Sequence, residues 1–210
     1  MQIIISRMDV ALYWDRSFQR RFGSGSLARA RTVLAFAQAA FRWKSTLTTT
    51  ITFRIRAQGY RIRSDIRPSG AMIRSLGRYN LRSAHSTIYL TNLRNGRTIG
   101  IAWLRAVCNR NANYRSNINT FYYRTNSQNG YIVAHELGHN LGMLHDFIRT
   151  PSRTRYTRRG QRCSRIGGIM DYTSRRVRWS PCSVQDLNDY YNRIVRQQRR
   201  FCLPSNFQFP

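Results

Sequence analysis

The amino-acid sequence predicts a mixed α/β fold, formed as one domain with two lobes around a cleft. The chain of 210 residues is long enough for one hydrophobic core, and 41% of its residues are hydrophobic. Strand and helix patterns alternate in the first half, whereas helical patterns dominate the second half. Because neither an internal repeat nor an interdomain linker interrupts the sequence, we expect a single folding unit.

Five segments have the composition and periodicity of β-strands. Ile51 and Phe53 alternate with threonine and arginine, which is the period of a half-buried strand. The other four segments are apolar runs, and an Asn95-Gly96 turn precedes one of them. Residues 109–119 are rich in asparagine and predict a loop. The predicted strands are residues 2–5, 47–57, 87–90, 98–104 and 118–123.

Four helices are predicted around these strands. Ser26 is placed to cap a helix of residues 27–43, whose apolar residues recur at spacings of three and four. A turn containing proline and glycine precedes a helix of residues 71–82. The third helix carries a histidine motif, and Ser183 is placed to cap a last helix of residues 184–200. These apolar stripes predict core packing, and we infer no cofactor site from them.

The histidine motif is H-E-x-x-H-x-x-G-x-x-H-D, which runs from His135 to Asp146. His135 and His139 are four residues apart, so on a helix they lie on one face, one turn from each other. Gly142 allows the backbone to leave the helix, and His145 can then return to the same metal ion. Three protein ligands leave one position for water, which is the arrangement of a catalytic zinc site.

Two carboxylates accompany the predicted ligands. Glu136 cannot easily bind the same metal ion as its neighbour, but it can reach the metal-bound water and act as a general base. Asp146 is predicted to hold nearby backbone or an arginine. An isolated histidine is usually an ordinary core or surface residue. Here three of the chain's four histidines fall within one motif, which favours a zinc site.

The four cysteines predict two disulfides. Cys108, Cys163, Cys182 and Cys202 form no Cys-x-x-Cys pair, so a second zinc site is not expected. Their wide spacing is typical of proteins from an oxidising compartment, and three pairings remain open. The first residues predict a strand rather than a signal peptide, and no apolar run is long enough to span a membrane.

The charge of the chain is strongly unbalanced. There are 36 basic and 8 acidic residues, which gives a net charge of +28, and every basic residue except Lys44 is an arginine. The arginines are spread along the sequence and accompany no nucleic-acid-binding motif, so we expect diffuse affinity for polyanions such as sulfated glycans, without a specific nucleic-acid site. A surface altered for solubility is the alternative. Three of the acids, Glu136, Asp146 and Asp171, lie in or near the motif.

Several segments together resemble a known family. Residues 135–146 resemble the long zinc signature of metzincin metalloproteases, and residues 168–172 resemble the Met-turn, which places a methionine, here Met170, beneath the metal. Residues 98–108 and 179–187 are similar to the edge strand and the segment after the Met-turn in the reprolysin, or adamalysin-type, branch. The resemblance extends over essentially the whole chain.

This resemblance implies a single catalytic domain with a mixed five-stranded sheet, an upper lobe of about residues 1–145 and a small lower lobe of about residues 146–210. It also implies the disulfides Cys108–Cys202 and Cys163–Cys182, secretion, a monomeric state, and a precursor whose zinc-blocking propeptide is not part of this chain. An extended substrate would pair with an edge strand. The residues of that strand are Ile99, Gly100, Ile101, Ala102 and Trp103.

The chain departs from the family pattern at two places. Reprolysins often hold a structural calcium ion near their termini, but the corresponding positions here are Gln2 and Ser86, which carry no carboxylate. We therefore expect that calcium site to be absent. Tyr172 stands where some metzincins carry a tyrosine that touches zinc or the oxyanion, although simple aromatic packing is the favoured interpretation.

These observations predict a zinc-dependent endopeptidase that hydrolyses peptide bonds of extracellular proteins, with Glu136 as the general base. Two alternatives from other classes remain. One is a catalytically dead, strongly cationic module that binds anionic glycans or membranes. The other is a cationic toxin that disrupts anionic membranes. The intact set of ligands and the intact Glu136 favour the protease.

Overall fold

A five-stranded sheet is the framework of the chain. A computed structural model describes residues 4–42, 49–148, 154–163, 168–171, 178–198 and 202–203. Its strands are β1 (Ile4–Asp15), β2 (Thr49–Ile62), β3 (Ser86–Thr91), β4 (Gly100–Ala102) and β5 (Ser116–Thr120). Their order is β2-β1-β3-β5-β4, and only β4 runs antiparallel to its neighbour. The predicted mixed sheet is therefore confirmed.

Within the described residues, five helices accompany the sheet. They are α1 (Arg16–Phe22), α2 (Ser26–Arg42), α3 (Gly70–Leu76), α4 (Asn126–Asn140) and α5 (Pro181–Gln198). Short 3-10 turns occupy Gly23–Gly25, Gly77–Tyr79 and Ala112–Tyr114. None of the helices within the described ranges is both long and apolar enough to cross a membrane.

Strand β1 extends ten residues beyond the predicted segment. Polar Ser6, Arg7 and Asp9 interrupt the apolar run in the sequence, but the strand continues through them, with successive side chains on opposite faces of the sheet. Met8 packs with the main core, whereas Tyr13 packs with a second cluster on the opposite face. A central strand buried on both faces needs apolar residues at odd and even positions, so the period of two is hard to see in its sequence.

Helix α1 was not predicted, and a buried carboxylate explains why it forms. Asp15 is fully buried at the N-cap, where its side chain accepts a hydrogen bond from Phe18 N at 2.8 Å. The same carboxylate accepts from Ile66 N at 2.8 Å, from the Thr91 hydroxyl at 2.9 Å and from the Ser17 hydroxyl at 2.8 Å. Asp15 thus joins β1, α1, β3 and the loop after β2.

Replacing Asp15 with alanine is expected to lower the free energy of unfolding by about 3 kcal/mol, because two buried backbone N–H groups and two hydroxyls lose their acceptor. Urea unfolding followed by circular dichroism measures this change. The matched control is Asp65→Ala, which removes a partly exposed ion pair with Arg20 and should cost less than about 1 kcal/mol. Equal losses in the two variants would contradict the role assigned to Asp15.

Several predicted boundaries were wrong for local reasons. The chain is already helical at Ser26, because the preceding 3-10 turn leads directly into α2, and the Ser26 hydroxyl has no partner among the described residues. Helix α5 begins at Pro181, so the cap is not Ser183; Ser183 N instead donates to the Ser180 hydroxyl at 3.1 Å. The fifth strand was predicted at residues 118–123, after a loop at residues 109–119. In the structure β5 begins earlier, at Ser116, and ends at Thr120.

The main core lies between the sheet and helices α2, α4 and α5. Trp179, just before α5, is 1% exposed; its ring lies 4.7 Å from that of Phe41 at an angle of 41°, and its indole N–H donates to Ala40 O at 3.0 Å. These contacts fix the C-terminal segment against α2. The structure contains the disulfides Cys108–Cys202 and Cys163–Cys182, the same two pairs that the family resemblance implies.

Candidate metal centre

The three histidines of the motif converge at the C-terminal end of α4. His135 and His139 lie on the helix, which ends at Asn140; Leu141 is its C-cap, and Gly142 follows with φ = 96°. This left-handed conformation favours glycine, and it turns the chain so that His145 comes back toward α4. The ligand nitrogens of all three side chains lie within 4.8 Å of one another.

Backbone hydrogen bonds orient two of the imidazole rings. His135 Nδ1 lies 2.8 Å from Ile169 O, and His139 Nδ1 lies 2.8 Å from Met143 O. Because a carbonyl oxygen only accepts, each Nδ1 carries the proton and each Nε2 is the unprotonated nitrogen, which carries the lone pair that can bind a metal ion. His139 Nε2 lies 3.2 Å from His145 Nε2, so these lone pairs point into one shared space.

Burial keeps the histidines in the neutral form that binds metal. It lowers the pKa of His135 to about 3 and that of His139 to about 4, and the pKa of His145 is also lowered by burial. Three neutral imidazoles with convergent lone pairs match the ligand set of a three-histidine zinc site. Among the described residues no other group of histidine, cysteine or acidic side chains could hold a metal ion.

Glu136 lies between the histidines and the edge strand. It is 6% exposed, and burial raises its pKa to about 8. A Cβ atom on Gly100 would stand 2.2 Å from Glu136 Oε1 and 2.9 Å from Glu136 Cγ. The backbone of β4 therefore passes directly over this carboxylate, and only glycine at position 100 permits the approach.

A cleft of about 370 Å³ opens between β4 and the three histidines. Among the described residues that line it, Glu136 is the only carboxylate and none is an arginine, although the chain carries a charge of +28. The lining residues are Gly100, Ile101, Ala102, Leu104, His135, Glu136, His139, Leu144 and His145.

The predicted edge strand lies at the border of the sheet. Gly100–Ala102 pairs with β5, and the flanking residues continue the ladder through Ile99 O, which accepts from Thr120 N at 2.8 Å, and Trp103 N, which donates to Ser116 O at 3.3 Å. Because β4 is last in the sheet order, no described strand pairs with its other side. That side faces the cleft and is open to an extended peptide.

Met170 and Asp146 lie behind the histidines. Met170 is fully buried, and a Cβ atom on Gly138 of α4 would stand 2.8 Å from its sulfur. Asp146 is also fully buried, and burial raises its pKa to about 6. Among the described residues its side chain accepts from the Ser180 hydroxyl, and the predicted contact with backbone or an arginine stays a prediction.

Other predicted residues are placed as follows. Ser86 is buried and donates its hydroxyl to Asn140 Oδ1 at 2.8 Å. Gln2 and Tyr172 lie outside the described residues, so the absence of calcium and the role of Tyr172 stay predictions. Asp171 is buried beside Asp146, and its negative charge contributes to the raised pKa of Asp146.

An ion pair that the sequence did not reveal braces the third histidine. Asp186 of α5 accepts from Leu144 N at 2.9 Å and forms a bidentate salt bridge with the Arg155 guanidinium. Arg155 also donates to His145 O at 3.2 Å. Asp186 was recognisable as one of only 8 acids, but nothing distinguished Arg155 from the other arginines.

Asn140, at the end of α4, was a second omission. Its Oδ1 accepts from Asn117 Nδ2 at 2.8 Å, and its Nδ2 donates to Trp103 O at 2.8 Å and to Ser116 O at 3.2 Å. The side chain is fully buried. Asn140 therefore fixes the zinc-binding end of α4 to the sheet and to the edge strand. Its position within the motif was the available signal.

Comparison with known proteins identifies similar sequences. Residues 23–193 match the family described as Metallo-peptidase family M12B Reprolysin-like. Two similar proteins from Gloydius brevicauda are the zinc metalloproteinase-disintegrin-like brevilysins H2a and H2b. Each is 37% identical over 70 residues, which cover 33% of this chain and 16% of the relative. The match therefore spans about a sixth of the length of those relatives.

A solved structure described as a chaperone-substrate complex has a similar fold. The TM-score is 0.55 at 17% sequence identity, and the match covers 83% of this chain and 29% of the other. At this identity the likeness concerns the fold alone.

Proposed function

The chain belongs to the M12B reprolysin-like metallopeptidase family, and from this premise we propose that it is a zinc-dependent endopeptidase. The observation that carries the proposal is the convergence of three neutral imidazoles beside the buried Glu136, at the bottom of a cleft bordered by an open strand edge. Family membership supports zinc metalloprotease activity, and the geometry supports the assignment of individual roles.

His135, His139 and His145 would hold the zinc ion, with His135 and His139 oriented by their carbonyl partners. When bound there, zinc supplies a Lewis acid that polarises a carbonyl and lowers the pKa of a bound water. Glu136 would take the proton of the attacking water and deliver it to the leaving amine. A nearby divalent cation favours the ionised carboxylate, which offsets the effect of burial on the pKa of Glu136.

The peptide substrate would be bound through the backbone of the edge strand. Gly100 and Ala102 alternate with Ile99 and Trp103, which bond to β5, so their N–H and C=O groups are directed to the cleft side and can pair with an extended peptide whatever its sequence. We propose that Met170 packs beneath the metal and that Asp146 fixes the turn after His145, since Asp146 N donates to Met170 O at 3.1 Å.

The disulfides and the charge support a proposal about the setting of the enzyme. Two disulfides fit an oxidising compartment, which supports secretion and extracellular protein substrates. We place an upper lobe at residues 1–145 and a lower lobe at residues 146–210, and we propose a monomer. The charge of +28 supports additional, non-specific binding to sulfated glycans.

Removal of the metal tests the proposed activity directly. The protein should cleave a denatured protein such as casein, and a chelator should abolish cleavage, because no described side chain replaces the Lewis acid. Adding back zinc should restore the same cleavage products, mapped by mass spectrometry. Cleavage that continues at full rate in the chelator would contradict a metalloprotease.

The charge favours a second candidate, a cationic binding module without catalytic activity. That protein would bind heparin or lyse anionic vesicles equally well with and without a chelator, and it would cleave no substrate. The digest and a vesicle-leakage assay on the same preparation distinguish the two functions.

A further inference from the structure

A second cavity lies next to the catalytic cleft. It measures about 420 Å³, and the two cavities adjoin at consecutive residues, since Leu104 lines the cleft and Arg105 lines the second cavity. Its walls are the segment after β4 and one face of α5. The lining residues are Arg105, Cys108, Asn109, Arg110, Tyr190, Arg193, Ile194 and Gln197.

Three arginines and no carboxylate line this cavity. Arg105, Arg110 and Arg193 are exposed, and none forms an ion pair with an acid among the described residues. The carboxylates on α5, Asp186 and Asp189, already pair with Arg155 and Arg158. The positive charges of the three arginines are therefore not neutralised by described carboxylates and are available to a ligand. The described lining of the catalytic cleft, in contrast, contains no arginine.

The backbone of the cavity is fixed by hydrogen bonds. Arg105 has φ = 59°, a left-handed conformation that is uncommon for arginine, and its N–H donates to His139 O at 2.9 Å. The Tyr190 hydroxyl accepts from Cys108 N at 3.1 Å and donates to Arg105 O at 3.1 Å. The Arg193 guanidinium lies over the Tyr190 ring at 5.7 Å. These contacts fix the positions of Arg105 and Arg193 relative to the C-terminal end of α4.

The distance between the two cavities suits a peptide. Gly100 faces Glu136, and Arg105 follows five residues later, which is at most about 16 Å of extended chain. A substrate laid along β4 with its scissile bond at Glu136 would bring a residue three to five positions away to the mouth of the second cavity.

We infer that this arginine-lined cavity binds an aspartate or glutamate of the substrate, three to five residues from the scissile bond on one side. The guanidinium group matches a carboxylate with two parallel hydrogen bonds, which provides both attraction and direction. Since no arginine is found among the described residues that line the catalytic cleft, we place the selectivity for acidic substrates at this neighbouring site. The inference rests on the proposed protease function and adds a substrate class to it.

Matched peptides test the inference. Two series of fluorogenic peptides carry either glutamate or glutamine at the third to fifth position on each side of one cleavable bond. In the wild type, kcat/KM should be about tenfold higher for glutamate on one of the two sides. Arg110→Gln combined with Arg193→Gln should remove most of that preference without changing kcat/KM for the glutamine peptides.

The control removes two charges at the far edge of the sheet. Arg31 donates to Gln58 of β2, and Arg56 lies on β2, which is the edge opposite to β4. The double variant Arg31→Gln/Arg56→Gln should keep the preference for glutamate. An unchanged preference in Arg110→Gln/Arg193→Gln, or an equal loss in the control, would overturn the inference, because the effect would then reflect net charge.

Binding without cleavage separates this inference from the proposed function. In protein carrying Glu136→Gln, fluorescence anisotropy should show weaker binding of the glutamine peptide than of the glutamate peptide, and Arg110→Gln/Arg193→Gln should abolish the difference. If no peptide is cleaved but this difference is found, the protease proposal fails and the acidic site stands. If the variant weakens only a sulfated oligosaccharide, the cavity is a glycan site and the inference is wrong.

Discussion

Replacing Glu136 with glutamine is expected to lower kcat/KM by about 1,000-fold or more, while the protein still binds one zinc ion. Glutamine keeps the size of the side chain but cannot accept the proton of the attacking water, so the loss falls on the chemical step. Peptide cleavage measured with a fluorogenic substrate gives the rate, and atomic absorption on the dialysed protein gives the zinc content.

The fold provides a reason why this variant should remain intact. Glu136 is buried, and its raised pKa shows that burial disfavours the charged form, so a neutral amide of the same shape is tolerated. Because Glu136 is the only glutamate in the chain, the matched control is Asp65→Asn, which neutralises a surface acid paired with Arg20. Full activity in Glu136→Gln would refute its role as the general base.

Replacing His139 with alanine is expected to remove zinc and activity together. His139 lies beside both of the other imidazoles, since its ring centroid is 4.8 Å from that of His135 and 4.7 Å from that of His145. The two remaining imidazoles provide only two of the three protein ligands, so the affinity for zinc should become too low for the ion to stay bound during dialysis.

Thermal unfolding gives a second measurement for this variant. Zinc that binds only the folded state stabilises it by about 4 kcal/mol at a concentration 1,000 times Kd, so zinc should raise the Tm of the wild type. The same addition should leave the Tm of His139→Ala unchanged. His85→Gln serves as the control, because His85 is the only histidine outside the motif and accepts a hydrogen bond from Asp9 N at 2.9 Å. A zinc-dependent Tm in His139→Ala would contradict the assigned ligand set.

The metal centre was largely predictable because its geometry is local. A spacing of four residues on a helix and a glycine before the third histidine are enough to bring His135, His139 and His145 together. The helices with regular apolar stripes were predictable for the same reason, within a few residues at each end. The spacing of residues along a helix can be read from one sequence, because it does not depend on tertiary contacts.

Features that depend on tertiary contacts were not predictable. Strand β1 is covered on both faces, so its pattern lacks a simple alternation. Asp186 and Arg155 are 31 residues apart, and nothing in their local sequence indicates that they meet. The same holds for the arginine-lined cavity, which forms only when α5 packs beside the segment after β4. These arrangements follow from the folded backbone rather than from short-range pattern.

The backbone of Gly100 passes close to Glu136, so a residue without a reactive side chain becomes important for the proposed peptide hydrolysis. One methyl group added there would meet the carboxylate, because the three atoms nearest to it, Oε1, Cδ and Cγ, all belong to Glu136. Under the proposed protease function, a substitution at Gly100 is expected to abolish cleavage although every residue of the zinc motif is retained. Such a form would keep its metal and its peptide groove, which makes it a natural starting point for capturing uncleaved targets.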